Sequence, residues 1–536
     1  MLTLPRARVF GAIFAFPDET RPPMTSSEPL YFRAEVRRGP LTFATKVFQG
    51  IGALPDTFKS FAFGAFLLFF YNQVLGLHAL QASFAISAGL IIDAVFDPII
   101  GSISDNLRTR LGRRHSLMYL SALPLSVGLF LAFTPPAGLS ETLLTFWLFG
   151  AVVLTNISMS LFIVPWTALY AEFSDDYRER TAVVTYRYAI GALGGLVFTF
   201  LTYRLVFPNS PAFPIGQLNP HGYRLFGPAL ALTVFTTVFI TTHLTRREIP
   251  FLLQPVATTP RFSPMRVVRE LLSTLVNRDF LVLFIGSLLA AGIGGTSGTL
   301  DIYMSTYFWG LTSNQLQWFG IAIVGALAAF ALVGALQRWL DKKPLLVLCF
   351  ALMVIDGIGI VGLRIFGLLP HNGQPALLAI LVANTTVQTF LGTLLGIMFA
   401  SMLADTLDAQ ELRTGRRQEG IFAAALAFSG KATGGVGALI GGFLLQEIIH
   451  WPVKADVHLL NGAMVTRLGV IGGILVPLFY IAPLALGSQY KISRDVHARI
   501  RAQLDQRRGA PQGADDDPAH LALEMALTPP SKAPLI

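Results

Sequence analysis

Apolar residues fall along this chain in long blocks separated by short polar stretches, without the strict alternation of a half-buried strand. A helix needs about 20 apolar residues to cross the hydrocarbon core of a bilayer. Twelve blocks meet that length, at 45–76, 79–104, 116–136, 141–172, 181–207, 225–244, 279–309, 314–336, 345–369, 375–405, 420–449 and 462–487. Those that exceed it are accommodated by tilt and by helix ends that protrude into water. The pattern predicts an all-α membrane protein with twelve transmembrane helices. It divides the chain into a cytoplasmic, disordered leader (1–44), a six-helix half (45–244), a basic central loop (245–278), a second six-helix half (279–487) and a disordered cytoplasmic tail (488–536).

Composition agrees. Hydrophobic residues make up 53% of 536 and charged residues only 13%, where a soluble domain has nearer 25% charged. The single cysteine, Cys349, excludes a disulfide scaffold or a Cys-rich metal site, and the histidines show no metal-ligand spacing. The net charge of +9 would fit nucleic acid if it were clustered, but it is topological. Of the 40 Lys and Arg, 31 lie on the side of the N-terminus and five on the opposite side, namely Arg204, Arg224, Arg364, Lys454 and Arg467. The positive-inside rule then puts both termini in the cytoplasm of a cell with this protein in its inner (plasma) membrane.

The leader carries a short apolar run, Val9 to Phe16, among arginines, but no clean cleavage site follows it, and Met24 is a second candidate start. The central loop carries Pro250, Pro255, Pro260 and Pro264. A faint repeat links the halves: Gly101-x-x-x-Asp105…Arg110-x-Gly112-Arg113-Arg114 follows span 2, and Gly334…Arg338-x-x-Asp341-Lys342-Lys343 follows span 8. Paired six-helix halves with a site between them are a common plan of secondary transporters. No phosphate-binding Gly-Lys-Ser/Thr loop is present, which argues against an ATP-driven pump. No cofactor site, nucleophile–base set or metal cluster appears at membrane depth, which argues against a membrane enzyme.

The sharpest chemical signal is in span 2. Asp93 and Asp97 lie one helical turn apart, on one face of the helix. A charge at bilayer depth costs roughly 2.5–3.5 kcal/mol on insertion scales, so two together need a compensating job, such as sharing a cation or a proton. The competing reading is a buried charge cluster that fixes helix packing. Asp301 and Asp356 also sit within spans, without evident partners, and Asp301 is placed to line an outer cavity.

Three ordered motifs carry a resemblance. The first is Asp93-x-x-x-Asp97-Pro-x-x-Gly101-x-x-Ser104-Asp105-x-x-Arg108-Thr109-Arg110-x-Gly112-Arg113-Arg114. The second is Val164-Pro165-Trp166-Thr167-Ala168-Leu169, followed by Asp175-Asp176-Tyr177-Arg178-Glu179-Arg180-Thr181 and Tyr186-Arg187. The third is Met402-Leu403-Ala404-Asp405-x-x-Asp408, then Thr414-Gly415-Arg416-Arg417-Gln418-Glu419-Gly420, with Lys431 in span 11. Over about 45–490 the chain resembles the glycoside–pentoside–hexuronide:cation symporters, the melibiose-permease branch of the major facilitator superfamily.

The resemblance implies a cation-coupled symporter importing a glycoside, uronide or related sugar-like solute by alternating access. It makes Asp93 and Asp97 the site of the coupling ion, H⁺ or Na⁺, with Lys431 joining that site to the solute pocket. A lysine facing two carboxylates lowers the cost of all three charges, and an arriving cation competes for the same oxygens. Asp56 or Thr57, with Lys59, fills the place of a solute-contacting acid in span 1. Trp166 or Tyr71 would stack on a pyranose face, with Thr167 beside it. Arg187 would bond solute oxygens, neutralise an acid or serve as a gate residue. In this fold the charges Asp105, Arg108, Arg113, Arg114, Arg180, Asp405, Asp408 and Arg416 can pair across the halves and close the cytoplasmic side.

Departures from the family pattern shift the expectation. Ile163 stands where the pattern has an Asp, Thr167 where it has a Trp, Phe96 where it has an Asn, and Gly396 where it has a second Trp. Lost oxygen donors disfavour Na⁺ relative to H⁺, and lost sugar-binding positions leave a lysolipid or other amphipathic solute as the alternative cargo. Span 11 presents Gly430, Gly434, Gly437 and Gly441, and span 5 presents Gly191 and Gly195, at spacings that let another helix approach closely.

Overall fold

A computed structural model describes residues 31–32, 37, 39–174, 176–252, 254–255, 278–414, 419–456 and 460–509. Twelve long helices run through them: α1 (Phe43–Leu75), α2 (Ala79–Asn106), α3 (His115–Phe133), α4 (Glu141–Phe173), α5 (Arg178–Val206), α6 (Pro220–Phe251), α7 (Arg278–Phe308), α8 (Ser313–Trp339), α9 (Lys342–Ile365), α10 (Pro375–Thr414), α11 (Glu419–Phe443, extended by Leu444–Ile448) and α12 (Gly462–Gly487). Each coincides with one predicted span, and α10 runs well past its span at the C-terminal end. Side-chain caps start several of them. Ser140 accepts from the Leu143 amide, Asp176 from Arg178 and Glu179, Asn219 from His221, Asp341 from Lys342 and Asn461 from Ala463. Each satisfies a backbone donor that a helix N-terminus leaves free.

Four helices, α1, α5, α7 and α11, finish in a π-helical turn at the end of the bundle away from the termini: Phe70–Leu75, Thr202–Val206, Met304–Phe308 and Leu444–Ile448. The turns after α1 and α7 need glycine, because Gly76 and Gly310 have φ of 93° and 61°.

α11 is the seam between the halves, packing on α7 of its own half and on α2 of the other. Its glycines make this possible. A Cβ on Gly442 would lie 1.9 Å from Ser83 Oγ of α2, one on Gly435 would lie 3.2 Å from Leu90 Cβ, and one on Gly437 would lie 2.1 Å from the Gly292 carbonyl of α7. Gly191 and Gly195 of α5 seat Ala53 and Thr57 of α1 in the same way.

At the end away from the termini the halves are bonded together. Tyr303 donates to Asn72 Oδ1 at 2.9 Å and Tyr307 to Gln73 Oε1 at 2.7 Å. Gln73 Nε2 donates to the Pro452 carbonyl at 3.0 Å, and Ser313 to Gln217 Oε1 at 2.7 Å. The rings of Phe69, Tyr303, Tyr307 and Trp451, meeting edge-on or tilted, pack beside them.

The termini side holds two departures from the expected disorder. Tyr31–Phe32 pairs antiparallel with Gln254–Pro255, and Arg37 forms an ion pair with Glu248 at the end of α6. In the tail, Arg494–Gly509 forms a thirteenth helix, α13. It lies in the tail expected to be disordered, but Val496 and Ile500 pack on the second half, and Leu504, four residues further on, is buried. His497 Nε2 lies 3.1 Å from Asp408 and 3.4 Å from Asp405. Residues 1–30, most of the central loop and 510–536 lie outside the described residues.

Candidate functional site

Asp93 and Asp97 sit mid-way along α2, one turn apart. Lys431 of α11 reaches them from the other half, with Nζ 2.9 Å from Asp93 Oδ2 and 2.5 Å from Asp97 Oδ2. On the opposite side Ser160 of α4 closes the cluster, its Oγ 2.5 Å from Oδ1 of each aspartate. Asp93 is buried, whereas the Asp97 side chain is 23% exposed and that of Lys431 35%. The cluster is thus reachable from one side. Pro98 follows immediately, and its missing N–H frees the Ala94 carbonyl from the helical ladder beside the carboxylates.

Two facts define what this arrangement can do. Two carboxylates and one ammonium leave a formal charge of −1, which one monovalent cation neutralises. A serine hydroxyl has a single proton, so it can donate to only one of the two oxygens it touches. The second contact becomes a hydrogen bond when a carboxyl is itself protonated and donates to Ser160.

The other expected solute residues lie on α1, α4 and α5. Trp166 is buried; its Nε1 donates to the Gln49 carbonyl at 3.0 Å, and Gln49 Nε2 donates back to the Trp166 carbonyl at 2.9 Å. Gly52 is required beside it, since a Cβ there would lie 2.0 Å from Trp166 Nε1. Arg187 covers the ring, its guanidinium carbon 3.9 Å from the centroid, a cation–π contact. In this conformation that face of Trp166 is occupied. Thr57 and Thr167 spend their hydroxyls on the Ala53 and Val164 carbonyls. Asp56 is exposed, and the Lys59 ammonium sits 5.5 Å over the Phe63 ring, within electrostatic reach of Asp56, Asp93, Asp97 and Lys431. Tyr71 is fully buried at the bonded end, and its hydroxyl has no hydrogen-bond partner among the described residues.

The ion pairs described for the gate residues lie inside each half, whereas the resemblance allows pairing across the halves. Arg114 binds Asp105 at 2.7 Å and Glu172 at 2.9 Å, and Arg113 binds Glu172 at 2.7 Å. In the second half Lys342 binds Asp405 at 2.6 Å, and Asp408 meets His497 and Arg501 of α13. Arg180 donates to the Ser174 carbonyl at 2.6 Å. Arg108 lies in the loop after α2, and Arg416 falls outside the described residues.

Ser160, Gln49 and Glu172 escaped the sequence reading, because hydroxyls, amides and single acids near helix ends are ordinary there. Asp356 does have partners, the Asn384 and Gln388 amides at 2.6 and 2.9 Å, which only the packing of α9 on α10 reveals.

The model of the MFS/sugar transport protein family matches residues 48–494. The chain belongs to this family. It is therefore a multi-pass membrane transporter and not an enzyme. The candidate glycoside/cation symporter YagG of Escherichia coli is 25% identical to it, with 90% of this chain and 99% of that protein covered. The isoprimeverose transporter of Lactiplantibacillus pentosus is 23% identical over 71% of this chain and 75% of its own length. The sodium-dependent lysophosphatidylcholine symporter 1-A of Danio rerio is 30% identical over 33% of this chain and 34% of its own. Among solved structures, the nucleoside transporter NupG superposes with a TM-score of 0.57 at 12% identity, covering 84% of this chain and all of that one. PepTSo2 superposes with a TM-score of 0.56 at 13% identity, covering 87% and 98%. Those likenesses establish the fold of a major facilitator, with two six-helix halves.

Proposed function

We propose that this transporter carries a glycoside or related sugar-like solute together with one monovalent cation, by alternating access, in an inner (plasma) membrane with both termini cytoplasmic. The observation that carries this reading is the cluster of Asp93, Asp97, Ser160 and Lys431. It spans the two halves, and it lacks one positive charge. A cation that supplies that charge competes with Lys431 for carboxylate oxygens and so loosens or tightens the contact between the halves. Coupling of that kind is reciprocal: the solute state that favours one arrangement favours cation binding equally.

Between the two ions we favour the proton. Ser160 bridges the two carboxylates, where a carboxyl proton would complete its second hydrogen bond, and Phe96 provides no oxygen beside Asp97 for a Na⁺ shell. The bonded far end supports assigning this conformation to the inward-facing state. The sugar-like cargo is supported by the names of YagG and the isoprimeverose transporter; a lysolipid is the second reading, favoured by the match to the fish symporter.

The test is solute uptake into membrane vesicles under an imposed pH gradient, a Na⁺ gradient or neither. A pH gradient drives accumulation, and Asp93→Asn and Asp97→Asn each abolish gradient-driven accumulation while leaving passive exchange. Accumulation at the unmutated level in both variants overturns the coupling assignment; accumulation driven by Na⁺ alone replaces the proton.

A further inference from the structure

The second half holds a partly open chamber of its own, of about 330 Å³, lined by α7, α8, α9, α10 and α12. That lies within the ~300–1,000 Å³ of small-molecule pockets and far above the ~30 Å³ share of one water. Asp301 of α7 projects into it. The residue is surrounded by the bundle yet exposed to the chamber, and its carboxylate has no hydrogen-bond or ion-pair partner among the described residues. None of the lining residues is Lys, Arg or His.

The neighbouring polar groups are already oriented. Asp356 holds the Asn384 amide on one oxygen and the Gln388 amide on the other. Gln388 Nε2 also donates to Asn384 Oδ1 at 3.3 Å. Gln388 Nε2 thereby uses both its protons, and Gln388 Oε1 accepts no hydrogen bond among the described residues while lining the same chamber as Asp301. Tyr480 and Ser305 add hydroxyls, and Trp309 and Phe319 add aromatic faces. Free acceptors next to aromatic rings suit a ligand whose edges are hydroxyl donors and whose faces are C–H.

We propose that this chamber is a solute subsite in which Asp301 and Gln388 accept hydrogen bonds from a hydroxyl-rich ring. It rests on the sugar-symport reading and deepens it by placing part of the solute in the second half, away from Asp93, Asp97 and Lys431. A hydroxyl pair on one carboxylate satisfies Asp301 without importing charge. A cation alone would leave most of the chamber unfilled.

The experiment uses the full-length protein in nanodiscs and in vesicles, with isoprimeverose and a panel of free mono- and disaccharides as probes. Thermal shift and uptake give the apparent affinity for each sugar, and uptake at varied pH and Na⁺ gives the cation dependence. For the sugars that bind the unmutated protein, Asp301→Asn lowers affinity at least tenfold, the worth of a charged hydrogen bond. Tyr480→Phe lowers it about threefold, and the cation dependence moves less than twofold in both. Tyr480→Phe decides the matter should Asp301→Asn fail to fold. Sugar affinity within twofold of the unmutated value overturns the subsite, as does a tenfold change in cation dependence with sugar affinity retained. Silence of the unmutated protein towards every sugar overturns the sugar-symport reading itself, before any variant is compared.

Discussion

Ser160 gives one hydroxyl to two carboxylates, and Lys431 gives one ammonium to the same two. Removing either has a different consequence. In Ser160→Ala the aspartates keep their counter-charge but lose a shared bond worth about 1 kcal/mol, so the cation concentration for half-maximal uptake rises roughly five- to tenfold while expression and melting temperature stay close to normal. Uptake measured against pH and Na⁺ reads this directly; an unchanged cation dependence removes Ser160 from the site. In Lys431→Ala two acids face each other uncompensated. Breaking a buried pair costs about 3–5 kcal/mol, and the partial exposure of Lys431 discounts this to roughly 1–3 kcal/mol. The expected outcome is a lowered melting temperature in detergent that is partly restored at acid pH. A melting curve as high as that of the parent at neutral pH would contradict an ion-paired Lys431. The acids and the lysine were legible in the sequence because a charge stands out in an apolar span. Ser160 was not, because serine in a membrane helix usually bonds its own backbone, as Ser83, Ser121 and Ser126 do here.

At the scale of the helix, α11 depends on bare backbone on two faces. Gly442→Val forces a side chain onto Ser83 and the Ala79 carbonyl of α2, a clash of the kind that costs about 1–3 kcal/mol. It should lower both thermal stability and transport, whereas Gly430→Ala, with open space where its Cβ would point, should change neither; equal behaviour of the two variants would contradict this packing. The twelve spans could be read from the chain because bilayer thickness imposes a length that few other constraints mimic. The seam could be read only in part: glycine spacing marks a helix for close approach but does not say that Gly435 and Gly442 meet α2 while Gly434, Gly437 and Gly441 meet α7. α13 was missed for the opposite reason. Its large apolar residues are three among many charges, and its binding partners, Asp405 and Asp408, lie some 90 positions earlier. The network of Asp356 with Asn384 and Gln388 likewise depends on two helices whose pairing no local pattern announces.

At the scale of the whole molecule, the faint repeat in the sequence becomes a repeat of devices. α1 and α7 both end in a π-helical turn followed by a left-handed glycine, and α5 and α11 both end in a π-helical turn. The segment between the second and third helices of the first half, and the start of the third helix of the second, send basic residues to an acid in the C-terminal part of the fourth: Arg113 and Arg114 to Glu172, and Lys342 to Asp405. Ion pairs within one half tie the helices of that half together, and the bonds that must break for the halves to rock are those between them. At the end remote from the termini these include the Tyr303–Asn72 and Tyr307–Gln73 hydrogen bonds. Replacing both tyrosines by Phe keeps the rings and removes two bonds of about 1 kcal/mol each, enough to shift the balance between closed and open forms roughly tenfold or more. Leu77, fully buried at this end, reports the shift when replaced by cysteine, since the single native cysteine, Cys349, is buried and contributes little background. A membrane-impermeant maleimide should label Leu77→Cys slowly in the parent and several-fold faster in the Tyr303→Phe/Tyr307→Phe background, with the acceleration suppressed by whichever cation and solute stabilise the inward-facing state. Equal labelling in both backgrounds would mean that the aromatic packing of Phe69, Tyr303, Tyr307 and Trp451, and not the hydroxyl bonds, holds this end shut.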